Sequence, residues 1–530
     1  MIAGTGSPPA KLVVALKYLP VMKHLQSPWL PAVMAALLGI SIPAHADTKP
    51  QPSPTPVDLS QFQITPRLRG APIPCGPDAR LEDDVSKLHY QWLARVLVPH
   101  LSPDKDPQHA AFIKATLDAS VPRDKVHAMA HAIDTSKITD PGLLYIIGWS
   151  LPDGDPASKP LFQRSLALFP QSAYPKFFSF VTALDVDGAS PRAMGRKRRK
   201  LDNNALSYLT PALSEGCFQP AELPILREYF ENDSFQHLLT RRSADVVAAF
   251  NAGTDVQPWL KDYVAGTDYI NQAWNARGDD WAANVTAQGW TGFAKGLSQA
   301  RECLVRSWNE NPHDPGAAAA MITVCMGEGE QTDTMRLWFD RSVAAQFDFP
   351  AAYDNMELGL YPRWGGSYAE MNAWGNECAA TNRYDTIVPE RRITVGCDIT
   401  ADSHDKGAQF NDPKVATEMV TVVDNYLAQK DDPLTDMRFL HTLAAIMDNK
   451  LGRKAAALKH MAAIGSNPDN GLWYLHGDMR KLAREARPPA PGASPGAVQD
   501  QKNPEPPVGP SPSPAKNPPS NGPDNTQTPG

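Results

Sequence analysis

The chain is predicted to be all-α, built from antiparallel helix pairs stacked on one another, with disordered proline-rich ends. Three observations predict this. From about Leu81 onward apolar residues recur at helical spacing, in segments separated by Pro, Asp and Ser. Strand-like alternation with Asn-Gly or Asp-Gly hairpin turns is nearly absent, the one Asp-Gly of interest being Asp187-Gly188 after FSFVTALDV. Three segments share one spacing of four, three and five residues: Ala300, Leu304, Ser307, Pro312; Ser158, Phe162, Ser165, Pro170; and Ala456, His460, Ala463, Pro468.

Residues 1–46 read as an export signal. SPWLPAVMAALLGISIPAHA has an apolar run from Trp29 to Ile42, too short to span a bilayer comfortably, followed by the small-x-small signal Ala44-His45-Ala46, which predicts cleavage before Asp47. Counted from Met22, with Lys23 as the positive flank, the segment has the usual length of about 15–30 residues. Met22 is therefore the expected start. No cysteine lies at the cleavage point to carry a lipid anchor, and no transmembrane segment is expected after cleavage. Residues 47–66 are polar and proline-rich and read as a tether, because they cannot bury enough apolar surface to offset their ordering entropy.

Residues 67–255 form an N-terminal helical region. In LEDDVSKLHYQWLARVLVPHL, Leu88, Trp92, Leu93 and Val96 share one face; further helical segments run from Ala110 to Leu117, Arg123 to Ile133 and Pro160 to Phe169. Residues 256–486 form the second helical domain, and eight of the twelve tryptophans fall between Trp259 and Trp374. Its central piece, AKGLSQARECLVRSWNENPHDPGAAAAMITVCMGEG, breaks once at Pro, Asn and Asp, as one helix hands over to the next. Residues 487–530 lack aromatics and periodicity and are expected to be disordered. The letters Gly492-Ala493-Ser494-Pro495-Gly496 in that tail match a hydrolase elbow, but proline-rich coil cannot present a strained serine.

The shared spacing resembles the second helix of a tetratricopeptide unit, where small residues admit a close helix, a bulky one fills the gap and proline starts the next turn. The last copy is the fullest, since Leu440, Leu443, Ala444 and Met447 fall where that family's first helix carries its packing residues; FDFPAAYDN repeats the turn alone. A second resemblance lies in YPRWGGS at Tyr361 to Ser367, with the upstream RLWFDRSVAAQFDFPAAY and the Trp-x-x-Phe before SQARE. Together these resemble an exported bacterial family of unknown function with a tetratricopeptide-like domain, over about Trp259 to Pro389. That resemblance implies a fold and no activity. Read from the residues, Gly365 and Gly366 allow a sharp turn and Ser367 with Glu370 makes a capping box for YAEMNAWGNECAA. Arg363 and Trp364 are the candidate partner-binding pair, as a cation–π platform.

The net charge of −7 argues against a nucleic-acid binder. Gly195 to Lys200, GRKRRK, is the only dense positive run, a solvated face or a site for an anionic envelope partner. Six cysteines, Cys75, Cys217, Cys303, Cys325, Cys378 and Cys397, form an even set in a chain read as exported, so disulfides are expected. Cys303 and Cys325, on successive helices, are the expected bridge. No Cys-x-x-Cys occurs to suggest zinc or redox chemistry.

His127 and His131 stand four apart, as helical metal ligands do, with Asp134 a turn later; Ala128 stands where a zinc protease has its glutamate. Structural histidines are the better reading. No phosphate-binding loop or dinucleotide motif exists, and no cofactor is expected. The function predicted is an exported, periplasmic or secreted helical-repeat protein that binds or scaffolds a protein or peptide partner. The alternative is an envelope enzyme, metal-dependent in one form, with a site between helices drawn from His127, His131, Asp134 or Asp279-Asp280.

Overall fold

The computed structural model describes residues 80–465, apart from 102–105, 153, 331, 404–407 and 429–437, together with Ile73, Cys75 and Leu482. The expected export segment, the tether, Pro468 and the proline-rich tail lie outside the described residues. The chain divides into two units, Met1–Glu485 and Ala486–Gly530; the described residues belong to the first.

The fold is all-α, with no strand among the described residues. The helices are α1 (Glu82–Val96), α2 (Pro107–Leu117), α3 (Arg123–Ala132), α4 (Pro141–Trp149), α5 (Ser158–Leu168), α6 (Lys176–Gly188) and α7 (Gly195–Ala212). Next come α8 (Leu223–Glu231), α9 (Asp233–Arg241), α10 (Ser243–Ala252), α11 (Pro258–Arg277), α12 (Ala287–Glu310), α13 (Pro315–Gly327) and α14 (Thr332–Ala345). The series ends with α15 (Pro350–Gly359), α16 (Tyr368–Ala379), α17 (Arg391–Asp402), α18 (Ala408–Asn411), α19 (Pro413–Ala428), α20 (Arg438–Lys450) and α21 (Lys454–Ile464). No helix among the described residues is long and apolar enough to cross a membrane.

Local chemistry starts several of these helices. Asp106, Asp140 and Asp314 each accept a backbone N–H of the first turn, and a proline follows each at a position that needs no donor. The helices then pack in chain-order pairs, among them α4 on α5, α6 on α7, α11 on α12, α13 on α14 and α20 on α21. Glycines set the closest approaches. A Cβ at Gly266 on α11 would stand 2.6 Å from Leu304 Cγ on α12, and one at Gly148 on α4 would stand 3.0 Å from Phe162 on α5. Leu304 and Phe162 are thus the bulky residues of the shared spacing, each filling the space a glycine leaves.

The third copy departs from the other two. Leu440, Leu443, Ala444 and Met447 are buried on α20, but on α21 the buried face is Ala457, His460, Met461 and Ile464, while Ala463 is exposed. His460 Nδ1 meets His441 Nδ1 at 2.7 Å where the other pairs oppose glycine and an apolar side chain. That contact gives each buried imidazole a polar partner across the α20–α21 interface.

One buried apolar cluster runs from Ile73 to Ile399 and includes residues on both sides of position 255/256. Long-range polar contacts reinforce it. The Glu82 N–H donates to Asp348 at 2.8 Å, so α1 is capped by a residue far along the chain. Arg227, fully buried, joins Asp314 at 2.9 Å and Glu231 beside it, and Tyr263 donates to Glu231 at 2.6 Å. Asp187-Gly188 closes α6 rather than a hairpin, and Asp187 is buried against Arg198 and Arg241.

Candidate functional site

The exposed loop between α11 and α12 carries the most exposed tryptophan among the described residues, Trp281, at 61%. Gly278, at φ 76°, turns the chain out of α11, a conformation that a side chain would strain. Arg277 holds that loop down. Its Nη1 donates to the carbonyls of Gly278 at 3.0 Å and Asp280 at 3.1 Å. The same guanidinium stands 5.6 Å from the ring centroid of Trp274, 5.5 Å from Trp290 and 5.8 Å from Trp364. Trp364 meets Trp274 edge-on at 5.4 Å, and Phe293 packs edge-on against Trp274 and Trp290. Burial lowers the Arg277 pKa, opposed by Asp279; the aromatic faces supply part of the stabilisation that water would otherwise give.

Trp364 reaches this cluster through the PRWGGS turn. Pro362–Trp364 form a short 3₁₀ turn, Gly365 takes φ 93°, and the Gly366 N–H donates to the Tyr361 carbonyl at 3.2 Å. A Cβ at Gly366 would overlap the Leu360 carbonyl. Ser367 caps α16, its Oγ accepting from the Glu370 N–H at 3.2 Å.

Arg363 and Trp364 do not form the joint platform expected of them. Arg363 lies over Tyr361 at 3.9 Å and joins Asp402 at 2.6 Å, while Trp364 turns to Arg277. Adjacent residues in a tight turn point apart, so each finds its partner on another helix. On the Tyr361 side, burial pushes the carboxyl pKa values of Glu357 and Asp398 up; the Asp398 charge raises Glu357 further, whereas hydrogen bonds to Tyr361 and Glu357 oppose the rise at Asp398. Arg391 lies beside them, paired with Asp354 at 2.5 Å.

The other sequence candidates do not converge. His131 is exposed and pairs with Asp155 at 3.0 Å, and Asp134 caps a short turn through the Ser136 N–H at 3.0 Å. His127 is half-buried on α3, and Asp279 and Asp280 are exposed on the α11–α12 loop. Among the described residues no three His, Cys, Asp or Glu side chains form a group that could hold a metal ion.

The six cysteines are thiols, and the expected Cys303–Cys325 bridge is not formed. The reason lies in where each sulfur points. Cys303 receives Arg306 Nη2 at 3.3 Å, and Arg306 pairs with Asp262; Cys325 receives Arg301 Nη2 at 3.8 Å, and Arg301 pairs with Glu328 and Glu330.

Comparison with family models, with characterised proteins and with solved structures finds no match. Sequence reasoning missed Arg277 and Trp281 as members of the site. The one signal available was local: Arg277-Gly278 ends a long periodic segment, and Asp279-Asp280-Trp281 puts an aromatic among charges, where a core is not expected.

Proposed function

We propose that the protein is an exported helical-repeat scaffold of the bacterial envelope that binds a protein or peptide partner through Trp281 and the tryptophan cluster to which Arg277 ties its loop. One observation carries this reading: an exposed indole on a loop that Arg277 pins to three further tryptophans. A large aromatic held in place before binding loses little entropy on contact, which is how a few anchors come to dominate an interface. The paired helices and the tetratricopeptide-like spacing support a stacked solenoid, and the apolar run before Ala44-His45-Ala46 supports export. Arg363, which holds Tyr361 and Asp402 on the other side of the same turn, forms the edge of the surface.

A photo-crosslinking residue placed at Trp281 in the full chain tests the reading in cells. A discrete adduct at Trp281, absent when the crosslinker is placed at exposed Leu168, is expected. Equal labelling at the two positions would remove the site from the proposal. Amino-terminal sequencing of the secreted chain tests export separately, with Asp47 the expected first residue.

A further inference from the structure

We propose that the face of α7 carrying the GRKRRK run, together with Met194 just before it, docks on an anionic lipid bilayer. Arg196, Lys197, Arg199 and Lys200 are exposed, whereas Asp202, Ala205 and Leu209 on the other side of the helix are buried. At 3.6 residues per turn Arg196, Arg199 and Lys200 share one face, and Lys197 flanks it. Arg198, on the inner side, is the structural member of the run: it pairs with Asp187 and donates to the carbonyls of Ser190 and Ala193. The neighbouring acids are already committed, Asp187 to Arg198 and Arg241, and Asp202 to Arg241 at 2.6 Å. Among the described residues none of the four exposed cations has an ion-pair partner.

Folding gives no reason for this arrangement. Cations in the first turns oppose the positive end of the helix dipole, and like charges three and four apart repel, so both effects work against the helix. A polyanion or a membrane surface reverses both. Met194 decides between them. It is 82% exposed, the most exposed large apolar side chain among the described residues. An exposed apolar side chain at the N-cap, one turn from a run of cations, gains by entering the headgroup boundary of a bilayer, and gains nothing from a phosphate backbone that stays in water.

The test is flotation of the full chain with phosphatidylcholine vesicles, with and without phosphatidylglycerol. Binding is expected only with phosphatidylglycerol, and is expected to fall as salt is raised. Each cation contributes about fivefold in affinity, so Arg196→Gln, Lys197→Gln, Arg199→Gln and Lys200→Gln combined should abolish it. Met194→Ser should weaken it severalfold at unchanged salt dependence. A control chain with Lys114, Lys125, Lys295 and Lys414 changed to Gln carries the same net charge and should still bind. Equal binding to neutral vesicles, retention by the first variant, equal loss in the control chain, or displacement of the vesicles by duplex DNA would each overturn the proposal.

Discussion

Ser307 Oγ donates to the Trp259 carbonyl at 2.8 Å, from the second helix of a pair to the first turn of the helix before it. Ser165 does the same to Pro141 at 2.8 Å and Ser342 to Pro315 at 2.9 Å, all three hydroxyls buried. The pairs α4/α5, α11/α12 and α13/α14 are therefore closed by one repeated bond. Each of Ser165→Ala, Ser307→Ala and Ser342→Ala should lower stability by about 1 kcal/mol in urea denaturation. An unchanged midpoint in all three would show that the bond is incidental to the pairing.

At the PRWGGS turn the two glycines should respond differently. Gly365→Ala strains a left-handed residue and should cost about 1 kcal/mol. Gly366→Ala drives a methyl into the Leu360 carbonyl, which no side-chain rotation relieves, and should cost more. Thermal melts of the two variants decide it; equal losses would mean that the turn relaxes around Gly366.

Arg277→Ala should release the loop that carries Trp281, because the guanidinium links its carbonyls to the tryptophan cluster. Limited proteolysis should then cut between Gly278 and Thr286 well before the wild-type chain is cut there, with helical circular dichroism intact. Identical cleavage rates would assign the loop's order to something other than Arg277.

Thiol titration distinguishes the structure from the sequence expectation of disulfides. Cys75 is exposed and the other five cysteines are buried; burial pushes the Cys217 pKa up to about 12 and also raises the Cys325 pKa well above the ordinary thiol value. Native, unreduced protein should therefore show one fast-reacting thiol, and denaturant should reveal six. Fewer than six in the denatured, unreduced chain would demonstrate a bridge.

Asp185 on α6, beside Tyr229, has its carboxyl pKa raised by burial from 3.8 to about 7. Between those values the folded chain holds a proton that the unfolded chain has released. The resulting stability is complete below about pH 4 and is lost as pH rises through about 7. Asp185→Asn should flatten this part of the stability profile, measured as urea midpoints across the window. A slope identical to wild type would place the titration on another group.

The sequence by itself determined where the helices are, because their causes lie within a few residues of each other. The apolar face of α1 is periodic, and the Asp-Pro steps at Asp106, Asp140 and Asp314 supply a cap and a donor-free first residue together. The spacing around Ser165 and Ser307 also marked real helix pairs, since the small and bulky residues that let two helices approach are a property of one helix face. Partners were another matter. Arg227 and Asp314 stand 87 residues apart, and Glu82 takes its cap from Asp348 across 266. Only the packing of helices from different parts of the chain brought Arg277 against Trp364, turned Arg363 away to Asp402, and faced Cys303 and Cys325 toward different arginines. Periodicity says which face of a helix is buried; it does not say which helix covers it.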